Sequence, residues 1–250
     1  MTLTQRPDPN RRRRSAVAAI VLATLAPCLP TTHPASAGSK GAFPAPDRKA
    51  LEQTLAKAFR ALPVPSKKFR EDRTSGTRTI EAGTSTRAVA TRTAAEARQI
   101  RVYERRIGTG EDAEVVGLEI RVYVNQERSL PEPLGSEGGT LETFTHDGLP
   151  GMRVVLAGAT SGRVALPLSP EEEQDALTVL RLHVGAADIE PYLIEVAQGR
   201  RPDTTPWDSH PARRASEVRT IVVEFQGPRG EVERLVKATS AAPLRALLTP

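Results

Sequence analysis

Cysteine is almost absent from this 250-residue sequence: the only one is Cys28. A lone thiol excludes an internal disulfide framework and a cysteine-built metal site. Aromatic residues make up 4% of the chain, so its core has to be assembled from Leu, Val, Ile and Ala. Beyond the N-terminal region the histidines are His146, His183 and His210. No two stand at the three- to four-residue spacing of a helical metal site. No apolar run reaches the roughly 20 residues needed to span a bilayer. G-x-S-x-G, S-x-x-K and phosphate-cradling glycine loops are also missing, and nothing in the sequence calls for a cofactor.

The N-terminus is informative. Arg11 to Arg14 form a basic cluster, "SAVAAIVLATLAP" follows, and Ala35-Ser36-Ala37 closes the segment. Basic, apolar and Ala-x-Ala regions in that order predict an export signal over 1–37, cleaved after Ala37, and a periplasmic or secreted product. A retained anchor is the alternative. Paired arginines suit twin-arginine export, though "SAVAAI" completes that motif only in part. Pro27 before Cys28 argues against lipid attachment.

Removing 1–37 takes away the cysteine, five arginines and one aspartate, so 35 basic and 30 acidic residues become 30 and 29. The surplus of +5 falls to +1. The basic pI is then mostly a property of the signal, and nucleic acid is not an expected partner. Residues 38–106 carry 16 Lys/Arg and 7 Asp/Glu, against 14 and 22 in 107–250. Two halves of opposite charge in one fold read as internal complementarity, with a basic face for an anionic envelope polymer or lipid headgroup as the sharper alternative.

Hydrophobic patterning predicts an α+β fold. Residues 38–46 are a flexible leader, and 47–199 form the main domain. Leu51, Leu55, Phe59 and Leu62 make one helical stripe, started by Asp47 and stopped by Pro63. Residues 66–98 are rich in Thr, Ser and Arg and read as an exposed ribbon or loop, with short strands near 77–81 and 86–91. Strand patterning predicts an antiparallel sheet of five to seven strands that includes 139–146, 151–157, 162–168 and the β-branched 177–184, for which a longer helix is the alternative. Ser169, Pro170 and Glu172 signal a short helix, and a further helix lies near 187–199. Residues 200–215 read as a proline-rich linker. Residues 216–250 read as a C-terminal β-hairpin and tail, whose edge is a candidate for self-assembly.

Ile-Arg-Val-Tyr occurs twice, at 100–103 and 120–123. Two alternating runs separated by a turn predict an antiparallel hairpin. Facing residue numbers then sum to a constant, and apolar alternation favours an even one. A sum of 220 sets Ile100 opposite Ile120 and Arg101 opposite Glu119, which gives favourable charge pairs. On that reading Arg101, Tyr103, Arg121 and Tyr123 share one polar face. They are candidate contacts for a flat or anionic ligand, as is Trp207 in its proline-rich setting. The competing reading of that stripe is a solvated or helix-covered sheet face.

Other candidates have plain explanations. Neighbouring strand residues point to opposite faces, so His146-Asp147 is a poor base–orienter pair, and Asp147-Gly148 reads as a turn. The "EEE" at 171–173 complements a helix dipole without needing a metal. With no catalytic constellation, the expected function is a non-enzymatic, exported binding or envelope-associated protein, a monomer or weak homo-oligomer. A hydrolase using His146 or His183 with a nearby carboxylate is the enzymatic alternative.

Overall fold

The computed structural model describes residues 45–81, 95–109, 113–125, 140–155, 177–185, 189–202 and 216–249. The signal, residues 38–44 of the leader, Trp207, His210, and the elements expected at 86–91, 162–168 and 169–176 lie outside the described residues, while Ala45 and Pro46, expected as leader, are helical.

Helix α1 (Ala45–Ala61) forms where the stripe predicts it and buries Leu51, Leu55, Ala58 and Phe59. Each large side chain removed from water there contributes roughly 1.5–3 kcal/mol. The helix stops short of Pro63, because the residue before a proline is pushed out of helical geometry. Strand β1 (Arg70–Glu81) follows, with a register irregularity between Asp72 and Thr77. Then come β2 (Glu96–Ile107), β3 (Glu114–Val124), β4 (Thr140–His146) and β5 (Leu149–Val155). Strand β6 (Leu177–Val184) precedes helix α2 (Ile189–Ala197). Strand β7 (Ile221–Pro228) leads directly into helix α3 (Arg229–Ala238) and the short α4 (Ala241–Arg245).

The fold is α+β, with one seven-stranded antiparallel sheet in the order β1-β2-β3-β7-β6-β5-β4. Two meanders, β1–β3 and β4–β6, are joined by β7, which is antiparallel to both of its neighbours. This corrects the C-terminal hairpin. Residues 231–239, expected as its second strand after a turn at 227–230, instead fall in the helix Arg229–Ala238 and its C-cap, and that helix buries Val232, Leu235 and Val236 on one stripe. Both sides of β7 are paired, so it has no edge from which to self-assemble. Its sequence, Ile-Val-Val-Glu-Phe, suits a strand buried on both faces.

The β2–β3 register is also corrected. Ile100 faces Arg121, Arg101 faces Ile120 and Tyr103 faces Leu118, a constant sum of 221. Strand β3 is unambiguous, because Leu118, Ile120, Val122 and Val124 are all buried on the α1 side. Strand β2 carries apolar residues on both faces, so its own pattern does not choose. The choice falls to helix packing. Ala97 and Tyr103 turn inward, and the stem of Arg101 lies under α1 with its guanidinium 4.4 Å from the Phe59 ring. Arg105 sits 5.5 Å from the ring of Phe69 in the same way. Long arginine stems cover apolar surface while the charge rests on an aromatic face.

The main core lies between this face of the sheet and α1, α3 and α4. A second cluster lies on the opposite face, where Ile189, Leu193 and Val196 of α2 pack on Leu141 and Met152. The β4–β5 turn is Asp147–Gly148, with φ of 49° and 68°. Two positive φ values make the tight hairpin turn that an Asp-Gly pair encodes.

Candidate functional site

Three strands in register place Arg121, Glu224 and Arg181 side by side on the sheet face away from α1. The Glu224 carboxylate is 1% exposed. It accepts from Arg121 Nη1 at 2.7 Å and from Arg181 Nε through its other oxygen. Arg121 also donates to Glu119, with Nε 2.9 Å from Oε2. Burial works against the Arg121 charge, but Glu224 and then Glu119 more than offset it, so its pKa is raised. Tyr123 stands beside this row, its phenol pushed up by burial and secondarily by Glu224. Two carboxylates and two guanidiniums satisfy one another here, which makes a clamp across β3, β7 and β6 rather than an open anion site.

The odd register splits the expected Arg/Tyr face. Arg121 and Tyr123 lie on this outer face, while Arg101 and Tyr103 lie under α1. Tyr103 is 9% exposed and its pKa is raised by burial. The four candidates therefore do not form one surface.

The two described histidines are separate from each other. His183 sits opposite Val222, is 3% exposed, and has no hydrogen bond at either ring nitrogen. Burial first, and the Arg181 charge second, hold its pKa down to about 3. His146 places Nε2 2.9 Å from the carbonyl oxygen of Thr239. Asp147 does not orient His146. Its Oδ2 accepts from the Ala241 N–H at 2.7 Å and so ties the β4–β5 turn to α4.

His146 does border a recess. Helix α3 rests on β6 and β7 and leaves the same face of β4 and β5 beside it. The resulting cleft has a volume of about 570 Å³ and is lined by Phe144, His146, Arg153, Leu180, Glu233 and Lys237, among others. The Phe144 ring makes its floor, lying across Gly151 of the neighbouring strand, where a side chain would overlap it. Glu233 accepts from Arg229 Nε at 2.9 Å and from Arg153 Nη2 at 3.2 Å, so this carboxylate is held by arginines and not by His146. Arg234 donates to Glu231 at 2.8 Å and to the Val64 carbonyl at 2.9 Å. Glu231 also accepts from the Ser66 N–H. Although burial opposes it, hydrogen bonding to Arg234 and then to Ser66 lowers its pKa. Lys237 is exposed and has no ion pair among the described residues.

A smaller recess of about 330 Å³ lies at the β1 irregularity. There Asp72 accepts from Ser75 and Thr74, and these bonds lower its carboxyl to about 2. These are local turn bonds. Among the described residues no group of three or more His, Cys, Asp or Glu is placed to hold a metal ion, and no helix is long and apolar enough to cross a membrane.

The cleft has no counterpart among the sequence motifs. Its residues come from β4, β5, β6 and α3, and the α3 segment reads as a strand in isolation. The one local hint is Gly151 seven residues after Phe144, which has meaning only once the two strands are paired. Comparison with family models, with curated proteins and with solved structures finds no match to this chain.

Proposed function

We propose that the chain is an exported, non-enzymatic binding protein of the cell envelope, and that the cleft between β4–β5 and α3 is its ligand site. Export is supported by the order of basic cluster, apolar run and Ala35-Ser36-Ala37. Binding at the cleft is supported chiefly by its make-up, an apolar floor at Phe144 and Leu180 under a cationic rim at Arg153 and Lys237. Its volume falls in the range of roughly 300–1,000 Å³ usual for small-ligand sites. The cleft's only carboxylate among the described residues, Glu233, is occupied by arginines, and His146 is bonded to a backbone carbonyl. That arrangement favours binding over the hydrolase reading, which needs a base within reach of an activating carboxylate.

Two measurements test this. Fractionation of cells expressing the full chain should recover a product shortened at Ala37 in the periplasm or medium. An uncut, cell-internal chain would remove the export half. Thermal melting of the purified chain with anionic wall polymer or phospholipid vesicles should rise with at least one of them. No change with either counts against an envelope-binding role.

A further inference from the structure

The cleft's charges specify its ligand more narrowly than "envelope component". We infer that it takes a small amphiphile bearing a single negative charge, with its apolar part over Phe144 and its anionic end at Lys237; this rests on the binding reading above.

The charge arithmetic carries the argument. Arg153 is paired with Glu233 at 3.2 Å and stands 3.8 Å from Glu142, and Arg229 shares Glu233. Arg234 is paired with Glu231. Those three guanidiniums thus meet three carboxylates. Of the cations at the cleft, Lys237 alone is left without an opposite charge among the described residues. One spare cation beside an apolar floor complements one anionic group attached to an apolar body. A polyanion, which needs several free cations along its length, is matched less well. The floor is also accessible to such a body. Phe144 is only half-buried and lies flat over Gly151, with buried Leu180 and Val236 behind it. The opposite face of β4 and β5 is covered by α2, so the two faces of these strands are not equivalent.

Fluorescence titration of the full-length protein with dansyl-labelled undecanoic acid, and with its uncharged methyl ester, tests the inference. The acid is expected to bind saturably and more tightly than the ester. Lys237→Glu should weaken the acid roughly fivefold, the scale expected when an exposed charge attraction becomes a repulsion, and Lys237→Arg should restore it. Lys57→Glu, the same charge change on the exposed side of α1, should have no effect. Absence of saturable binding by the wild type, equal affinity for acid and ester, or equal losses in Lys237→Glu and Lys57→Glu would each overturn the inference. A protein that ignores both probes but melts higher with polymer or vesicles would end this proposal and leave the broader binding role standing.

Discussion

Arg121 on β3 holds Glu224 on β7 at 2.7 Å, and Arg181 on β6 grips the other oxygen of the same carboxylate. The C-terminal strand is thereby bound to both meanders through one nearly inaccessible side chain. Glu224→Ala would leave two half-buried guanidiniums facing each other, so it should lower stability by about 3 kcal/mol, as removal of one partner from a buried ion pair does. Glu119→Ala, which removes a half-exposed partner of Arg121, should cost under about 1 kcal/mol. Urea unfolding of both variants checks the ordering, and comparable losses would contradict it.

His183 predicts a pH dependence. Its folded pKa, near 3, lies below the ordinary value of 6.5, so the unfolded chain binds the proton first on acidification. The contribution from keeping this ring neutral is complete above about pH 6.5 and is lost as pH falls from there towards 3. The slope in that window is at most about 1.4 kcal/mol per pH unit for one proton. Glu224, Tyr123, Arg121 and Arg181 line the same outer face, so the single-site effect is best read by difference. His183→Leu should flatten the stability profile between pH 6.5 and 4 relative to wild type. Superimposable profiles would show that the ring does not titrate on unfolding.

Asn125 closes β3 at φ 55°, a left-handed conformation that asparagine tolerates. Its Nδ2 donates to the carbonyls of Ala95 and Glu217 at 3.2 and 2.7 Å, and its Oδ1 accepts from the N–H groups of Arg219 and Thr220 at 2.8 and 3.3 Å. Asn125→Ala should cost about 2–3 kcal/mol, combining unsatisfied backbone groups with strain at positive φ. Asn125→Gly removes the strain and keeps the hydrogen-bond loss, so its thermal midpoint should lie between those of wild type and the alanine variant.

Gly185 has φ 121°, and a side chain there would run into the carbonyl oxygen of Arg219. Gly185→Ala should therefore destabilise by several times the roughly 1 kcal/mol by which a compatible Gly→Ala change stabilises. Gly117 has open space where a Cβ would stand, so Gly117→Ala serves as the control, and calorimetry of the pair should separate them clearly.

Helix α1, the β4–β5 turn and strand β6 are legible locally. Leu51, Leu55 and Phe59 recur at helical spacing, Asp147-Gly148 suits only a tight hairpin, and residues 177–184 are β-branched and bounded. The candidate site is much less legible. Phe144, Arg153, Leu180, Glu233 and Lys237 lie on four elements, and no spacing in the chain relates them. The α3 segment, "RGEVERLVKA", carries Val232, Leu235 and Val236 at helical spacing, yet its valines and the preceding Gly-Pro suggest a second hairpin strand when read alone.

Side-chain periodicity within single segments was enough to establish the α+β class, the antiparallel character of the sheet and the apolar faces of β3 and α1. The β2–β3 register and the central place of β7 were settled only by long-range packing. Strand β2 has apolar residues on both faces, so the weight of its choice fell on Phe59 and Phe69, which accept Arg101 and Arg105 from a distance in sequence. Strand β7 is paired along both edges by strands that precede it, whose Arg121 and Arg181 lie 103 and 43 residues before Glu224. Contacts of that span leave no local pattern, so the pairing of Ile100 with Arg121 and of Glu224 with two arginines emerges only when the sheet is assembled.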